Sequence, residues 1–230
     1  ASYDGVDVTQ ELSIIENSAT GRDDVVKIKY IVKNDTEYAK QVGIRIMMDT
    51  MLGGNDAAPF RVNGSDVTTE TVYSGSNIPQ IWQAFDSATN PGVVAQGTFY
   101  KSGDRKPDKV QFTNWGNVTS TLWDYVTQPG RSNGDSAVSI TWNKDTFTSG
   151  ETREFVTYYG LSELEQNLIP PLALSVYADN KVSISNFNYD DINANVYLDN
   201  IGDGDATDVS IKITADNLEP KYGTSLTHNY

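Results

Sequence analysis

Two segments near the N-terminus constrain the fold more than any other feature of this chain. In residues 25–33, Val26, Ile28, Tyr30 and Val32 are set against Lys27, Lys29 and Lys33. In residues 41–49, Val42, Ile44, Ile46 and Met48 are set against Gln41, Arg45 and Asp49. A period of two places one face on a core and the other in water, as in an antiparallel sheet packed on one side. The pattern recurs toward the C-terminus, so the chain reads as all-β.

Organisation follows from the breaks in that pattern. Residues 1–9 form a lead-in, Leu12–Ile15 starts the first strand, and Asn17–Asp24 turns it. Asn34-Asp35-Thr36-Glu37 reads as a hairpin-like link, and Thr50 to Asp66 as a long irregular stretch. Further strands are expected at 67–73, 93–100, 109–113, 121–126, 137–143 and 153–159, separated by Gly-, Asn- and Pro-rich turns that include Asn133-Gly134-Asp135. Ile78–Asp86 fits either a helical turn or a strand. Leu161–Gln166 is the best helix candidate, and Ile169-Pro170-Pro171 ends any regular element.

The domain reading is therefore a large antiparallel β-sandwich over 1–166, a linker at 167–171, and a small immunoglobulin-like β module over 172–230. Strands are expected in the last at Leu172–Tyr177, Lys181–Phe187, Ala194–Asp199 and Val209–Thr214. A complete module of that kind needs about 100 residues, so this one is either truncated or docked on the first domain.

Composition narrows the function classes. A chain of 230 residues with 13 tyrosines and a net charge of −14 can bury a real core and repels phosphate backbones and anionic lipid. Nucleic acid and membrane insertion are thus disfavoured, and no run reaches the roughly 20 apolar residues of a membrane helix. No leader is read at the N-terminus, as expected of a mature chain or a piece of a longer one. Absence of cysteine removes disulfides and thiolate sites, and the lone histidine, His228, removes multi-histidine zinc sites.

Five constellations could carry chemistry. Asp49, Asn55 and Asp56, in a loop with Gly53-Gly54, and Asp66 farther along offer hard oxygens to calcium, though the spacing matches no EF-hand and a plain polar loop explains the same residues. The acidic run Asp199 to Asp208 reads similarly, or as a simple acidic hairpin. Trp123 and Tyr125 are two apart, as on one strand face, with Leu122 and Val126 expected in the core behind them. With Trp115 they could stack on sugar while Asn114 or Asp124 bonds hydroxyls; the alternative is that these rings fill the core. Asp49, Glu70, Asp86 and Asp124 could supply a paired-carboxylate glycosidase site, a demand that any acidic chain meets by chance. The row Lys27, Lys29 and Lys33 could join acidic neighbours across strands, or supply a side-chain crosslink.

Residues 41–61, 78–92 and 107–125 resemble the N-terminal β-rich region of large Gram-positive surface proteins. The tail from Val196 to Ile213 resembles the N-x-G-x-x-x-A-x-x-V strand–turn–strand of bacterial immunoglobulin-like adhesion modules, with extra aspartates. The resemblance implies an extracellular or cell-surface, multi-module bacterial protein, and brings no catalytic residue. The function expected is a non-catalytic binding module acting on a glycan or a host or cell-wall component, with calcium optional. The alternatives are a structural spacer between other modules of the parent chain and, less favoured, a glycan-active enzyme.

Overall fold

The computed structural model describes residues 1–17 and 21–165, then 172–178, 184–185, 188–189, 194–200 and residue 209. In chain order the strands of the first part are β1 (Ser2–Tyr3), β2 (Val6–Asn17), β3 (Arg22–Asn34), β4 (Lys40–Asp49), β5 (Phe60–Val62), β6 (Ser65–Val67), β7 (Thr71–Ser74), β8 (Ile81–Phe85), β9 (Val94–Thr98) and β10 (Lys109–Asn114). A short helix, α1 (Trp115–Thr119), follows, then β11 (Ser136–Phe147) and β12 (Thr152–Leu161).

These strands make an all-β sandwich of two antiparallel sheets. One has eight strands in the order β1-β2-β3-β12-β9-β8-β5-β6, the other four in the order β4-β11-β10-β7. The alternation that marks β3 and β4 sends Val32 and Ile46 into the core between them. That core is aromatic. Trp82 packs edge-on against Phe60 and Phe112 and stacks on Phe99 and Tyr159, while Phe155 meets Trp142 and Phe147. Along β10 and β11, Val110, Phe112, Val138, Ile140 and Trp142 face inward, which turns Gln111, Ser139 and Thr141 to the opposite face. On the outside of the larger sheet Lys29 meets Glu11 at 2.7 Å and Glu154 at 3.3 Å, the cross-strand pairing its position suggests.

Several local expectations are corrected. The link after Asn34 is an arch between sheets, because β3 pairs with β2 and β12 whereas β4 pairs with β11. The Asn34 side chain, fully buried, holds the arch: its amide nitrogen donates to the carbonyls of Tyr38, Phe147 and Thr148, and its oxygen accepts from Thr36 N and Oγ1. The stretch from Thr50 to Asp66 contains the β5–β6 hairpin, turned by Asn63 (φ 49°) and Gly64 (φ 74°), the backbone signature of a two-residue Asn-Gly turn. Within Ile78–Asp86, Ile81–Phe85 is strand β8, buried on both faces.

Residues 121–126 are not a strand, and Leu122 and Val126 lie in solvent at 98% and 71% exposure. Leu161–Gln166 is not a helix over its described part. Leu161 closes β12, and Glu163–Glu165 is a strand, β13. β13 pairs with β14 (Leu172–Ala178), so pairing crosses the predicted linker. The pair β15 (Ile184–Ser185) and β16 (Asn188–Tyr189) follows, and β17 (Ala194–Asn200) completes a three-stranded sheet of order β13-β14-β17. The remainder of the immunoglobulin-like module, most of the acidic run from Asp199 to Asp208, and most of the tail resemblance lie outside the described residues.

Candidate functional site

The outer face of the four-stranded sheet is crossed by residues 115–131, which leave β10 through α1 and return to β11. Asn114 caps α1, its side-chain oxygen accepting from Asn117 N at 3.0 Å. Side chains of Arg45, Gln111 and Glu70 fasten this strap. Arg45 on β4 donates to the carbonyls of Val118, Thr121 and Trp123. Gln111 on β10 donates through Nε2 to Tyr125 O at 2.8 Å. Glu70, which precedes β7 and is 4% exposed, accepts from Tyr125 Oη, Thr113 Oγ1, Asn117 Nδ2 and Gln128 N at 2.6–3.1 Å.

The strap decides where the sequence-predicted ligand residues lie. Tyr125 is buried, with its hydroxyl on Glu70 and its ring in a small cluster with Val118 and Ala137. It faces the protein interior and not the solvent, so the outward Trp123–Tyr125 pair does not form. Trp123 is half-buried and lies on Gly43 of β4, where a Cβ would stand 2.5 Å from its ring, and Lys144 Nζ sits 6.0 Å from the ring centre. Asp124 is exposed and 3.8 Å from Lys109 Nζ. Trp115 is half-buried against the Val118–Tyr125–Ala137 cluster. Gly43 and Asp49 are six residues apart on one strand, about 20 Å, so the Trp123 seat and the end of β4 are separate places.

That end of β4 is where the carboxylates gather. Asp49 closes β4, Asp56 lies in the following loop, and Asp135 immediately precedes β11; their carboxylate oxygens all lie within 4.8 Å of one another. Asp49 and Asp56 are two of the residues predicted from sequence, and Asp135 is new. Asn55, the third predicted ligand, is engaged by the loop itself: Nδ2 donates to Asp86 O at 2.9 Å and Oδ1 accepts from Ala57 N at 2.9 Å.

The backbone beneath the carboxylates is locked. Thr50 N and Oγ1 both donate to Ser136 O, Ser136 Oγ donates to Thr50 O, and Ser136 N donates to Asp56 O. Thr50 and Ser136 are buried, at 1% and 0% exposure. Trp115 N donates to Asp135 O at 2.7 Å, which ties the start of the strap to the same place. Among the described residues none of the three carboxylates is matched by an ion pair. Burial, then the charges of Asp56 and Asp49, push the Asp135 carboxyl above its ordinary value. Oxygen ligands at this spacing suit a hard divalent cation, and three carboxylates leave part of a calcium shell of six to eight oxygens open.

The remaining carboxylates named for glycosidase chemistry are separately occupied. Glu70 is consumed by the strap, Asp86 accepts from Gly92 N and Val93 N, and Asp124 faces Lys109. Sequence reasoning missed Asp135 as a site residue because Asn133-Gly134-Asp135 reads as a turn. Only the register Asp49↔Ala137, which sets Asp135 beside the end of β4, brings it in. Among the described residues no helix is long and apolar enough to cross a membrane. No family model matches the chain, and no curated protein matches it.

Proposed function

We propose that this chain is a non-catalytic binding module of an extracellular bacterial protein, acting in adhesion, and that its binding end is the Asp49–Asp56–Asp135 cluster with a calcium ion. The observation that carries this reading is the convergence of three carboxylates from separate chain segments on a backbone fixed by the Thr50–Ser136 bonds. A rigid frame holding like charges together stores repulsion that a divalent cation relieves, and it spares the ion the cost of ordering its ligands. The open part of the shell can take two vicinal hydroxyls of a sugar or a carboxylate of a surface component. In this reading Asn114 and Trp115 flank the ion, since Trp115 N donates to Asp135 O and Asn114 pairs with Ser136.

Calorimetric titration of the chain with calcium tests the reading, followed by a glycan array with and without calcium. Saturable calcium binding that Asp49→Asn and Asp135→Asn abolish, with calcium-dependent glycan retention, supports it. Absence of both overturns it.

A second reading, a structural spacer between other modules, is favoured by one observation: Trp123 and Tyr125 are used to seat the strap and do not form an open aromatic platform. It predicts neither calcium binding nor glycan retention.

A further inference from the structure

The strap covers a polar surface. Gln111, Ser139 and Thr141 occupy the outer face of the four-stranded sheet, and they are 2%, 0% and 1% exposed. Gln111 and Ser139 are register partners on neighbouring strands, and Thr141 is the next residue on the same face of β11. Their side chains are thus adjacent, about 5 Å apart across strands and about 7 Å along the strand at Cβ. Gln111 Oε1, Ser139 Oγ and Thr141 Oγ1 are all buried without a hydrogen-bond partner in the protein.

The strap carbonyls that face this sheet already accept bonds from side chains of it. The carbonyls of Val118, Thr121 and Trp123 are taken by Arg45, and that of Tyr125 by Gln111 Nε2. Three adjacent orphans in one native interface are far outside the usual pattern, in which about nine in ten buried polar groups are bonded. The chemistry of the three is complementary to a small molecule that both donates and accepts. An amide oxygen only accepts, whereas each hydroxyl donates one bond and accepts others.

We propose that the interface between the strap and the four-stranded sheet holds a structural water site, formed by Gln111 Oε1, Ser139 Oγ and Thr141 Oγ1. One water donates to Gln111 Oε1 and bridges to Ser139 Oγ, and Thr141 Oγ1 completes the cluster directly or through a second water. Buried waters ordinarily make two to four such bonds, which this set supplies. The strap then rests on the sheet through carbonyl and water bonds over this patch, while Val118 and Tyr125, packed on Ala137, and Trp123, on Gly43, supply apolar contact beside it.

A crystal structure at a resolution that shows ordered solvent, or water–protein cross-relaxation by NMR, tests the site in the wild-type chain. The expected result is a water within 2.7–3.2 Å of at least two of the three atoms. Direct bonds among the three side chains, or between them and the strap, with no such water, would overturn the proposal. A second measurement has a sign that discriminates. In the Ser139→Ala, Thr141→Val variant a hydrated site loses the partners of its water, and the melting temperature falls by about 3–8 °C. In a dry site the same variant removes unsatisfied groups, and an unchanged or higher melting temperature would count against the water.

Discussion

The Tyr125 hydroxyl donates to Glu70 Oε1 at 2.6 Å and lies 2.8 Å from Oε2, so one phenol spans both oxygens of a buried carboxylate. Burial pushes the Glu70 carboxyl up. Bonds from Tyr125, Gln128 N, Thr113 and Asn117 pull it down by more, leaving it below its ordinary value of 4.5. A carboxyl depressed in the folded state contributes stability that is complete above its unfolded value and is lost as pH falls through the folded one. Urea denaturation followed by tryptophan fluorescence should therefore show stability declining below about pH 4.5, with part of that decline due to Glu70. Glu70→Gln should be about 3 kcal/mol less stable at pH 7, because it leaves buried donors facing an amide. Its acid-range decline should be shallower; profiles that stay parallel would remove Glu70 from that role.

Gly97 and Trp82 define a second constraint. They are register partners on β9 and β8, and a Cβ on Gly97 would stand 2.0 Å from the Trp82 indole. Gly97→Ala should cost about 3 kcal/mol or more, since the indole is held on every side by Phe60, Phe99, Phe112 and Tyr159 and cannot retreat. Gly116 is the contrast. It sits inside α1, and an added Cβ there meets only Asn114 Oδ1 at 3.4 Å. Gly116→Ala should be neutral or stabilising by up to about 1 kcal/mol. Paired denaturation midpoints check both.

The fold class was legible because it depends on alternation, a property each strand carries alone. Val26 to Val32 and Val42 to Met48 name their own faces without knowledge of a partner. What was not legible depends on pairing. Nothing local to Asn34-Asp35-Thr36-Glu37 says that β3 and β4 belong to different sheets, because the decisive bonds run from Asn34 to Phe147 and Thr148, more than a hundred residues on. The Asn63-Gly64 turn was a usable local signal that the length of the surrounding loop obscured. At the candidate site, Asp49 and Asp56 were reachable because they lie close in sequence, at the end of β4 and in the loop that follows, whereas Asp135 enters only through the β4–β11 register. Leu122 and Val126 misled, since their hydrophobicity suggested a core face while Arg45 and Glu70 hold the strap through its backbone and through Tyr125.

The arch at Asn34 carries its own prediction. A fully buried amide that serves the Tyr38, Phe147 and Thr148 carbonyls and the Thr36 amide and hydroxyl links both sheets at one point. Asn34→Ala should cost about 3 kcal/mol, and Asn34→Asp at least as much, because a carboxylate cannot donate to three carbonyls and brings a buried charge. Chemical denaturation of the two variants decides it. A loss below about 1 kcal/mol for both would mean that solvent replaces the amide at little cost.

Asp135 makes the calcium reading sensitive to sign as well as size. Its carboxyl lies above the ordinary value because burial and the neighbouring Asp56 and Asp49 disfavour its charged form. For an acid raised in the folded state, the penalty is present above the folded value and is relieved as pH falls through it toward the unfolded one. In chelator at pH 7, Asp135→Asn should therefore stabilise the chain, by about 1 kcal/mol for each like-charge contact it removes in a water-like dielectric. With calcium in excess the order should invert, because the wild type gains binding free energy that grows with the free ion concentration and the variant has lost a ligand. Thermal melts in four conditions, wild type and variant with calcium and with chelator, separate the two effects. Stabilisation by the substitution in both solutions would leave the repulsion and remove the ion.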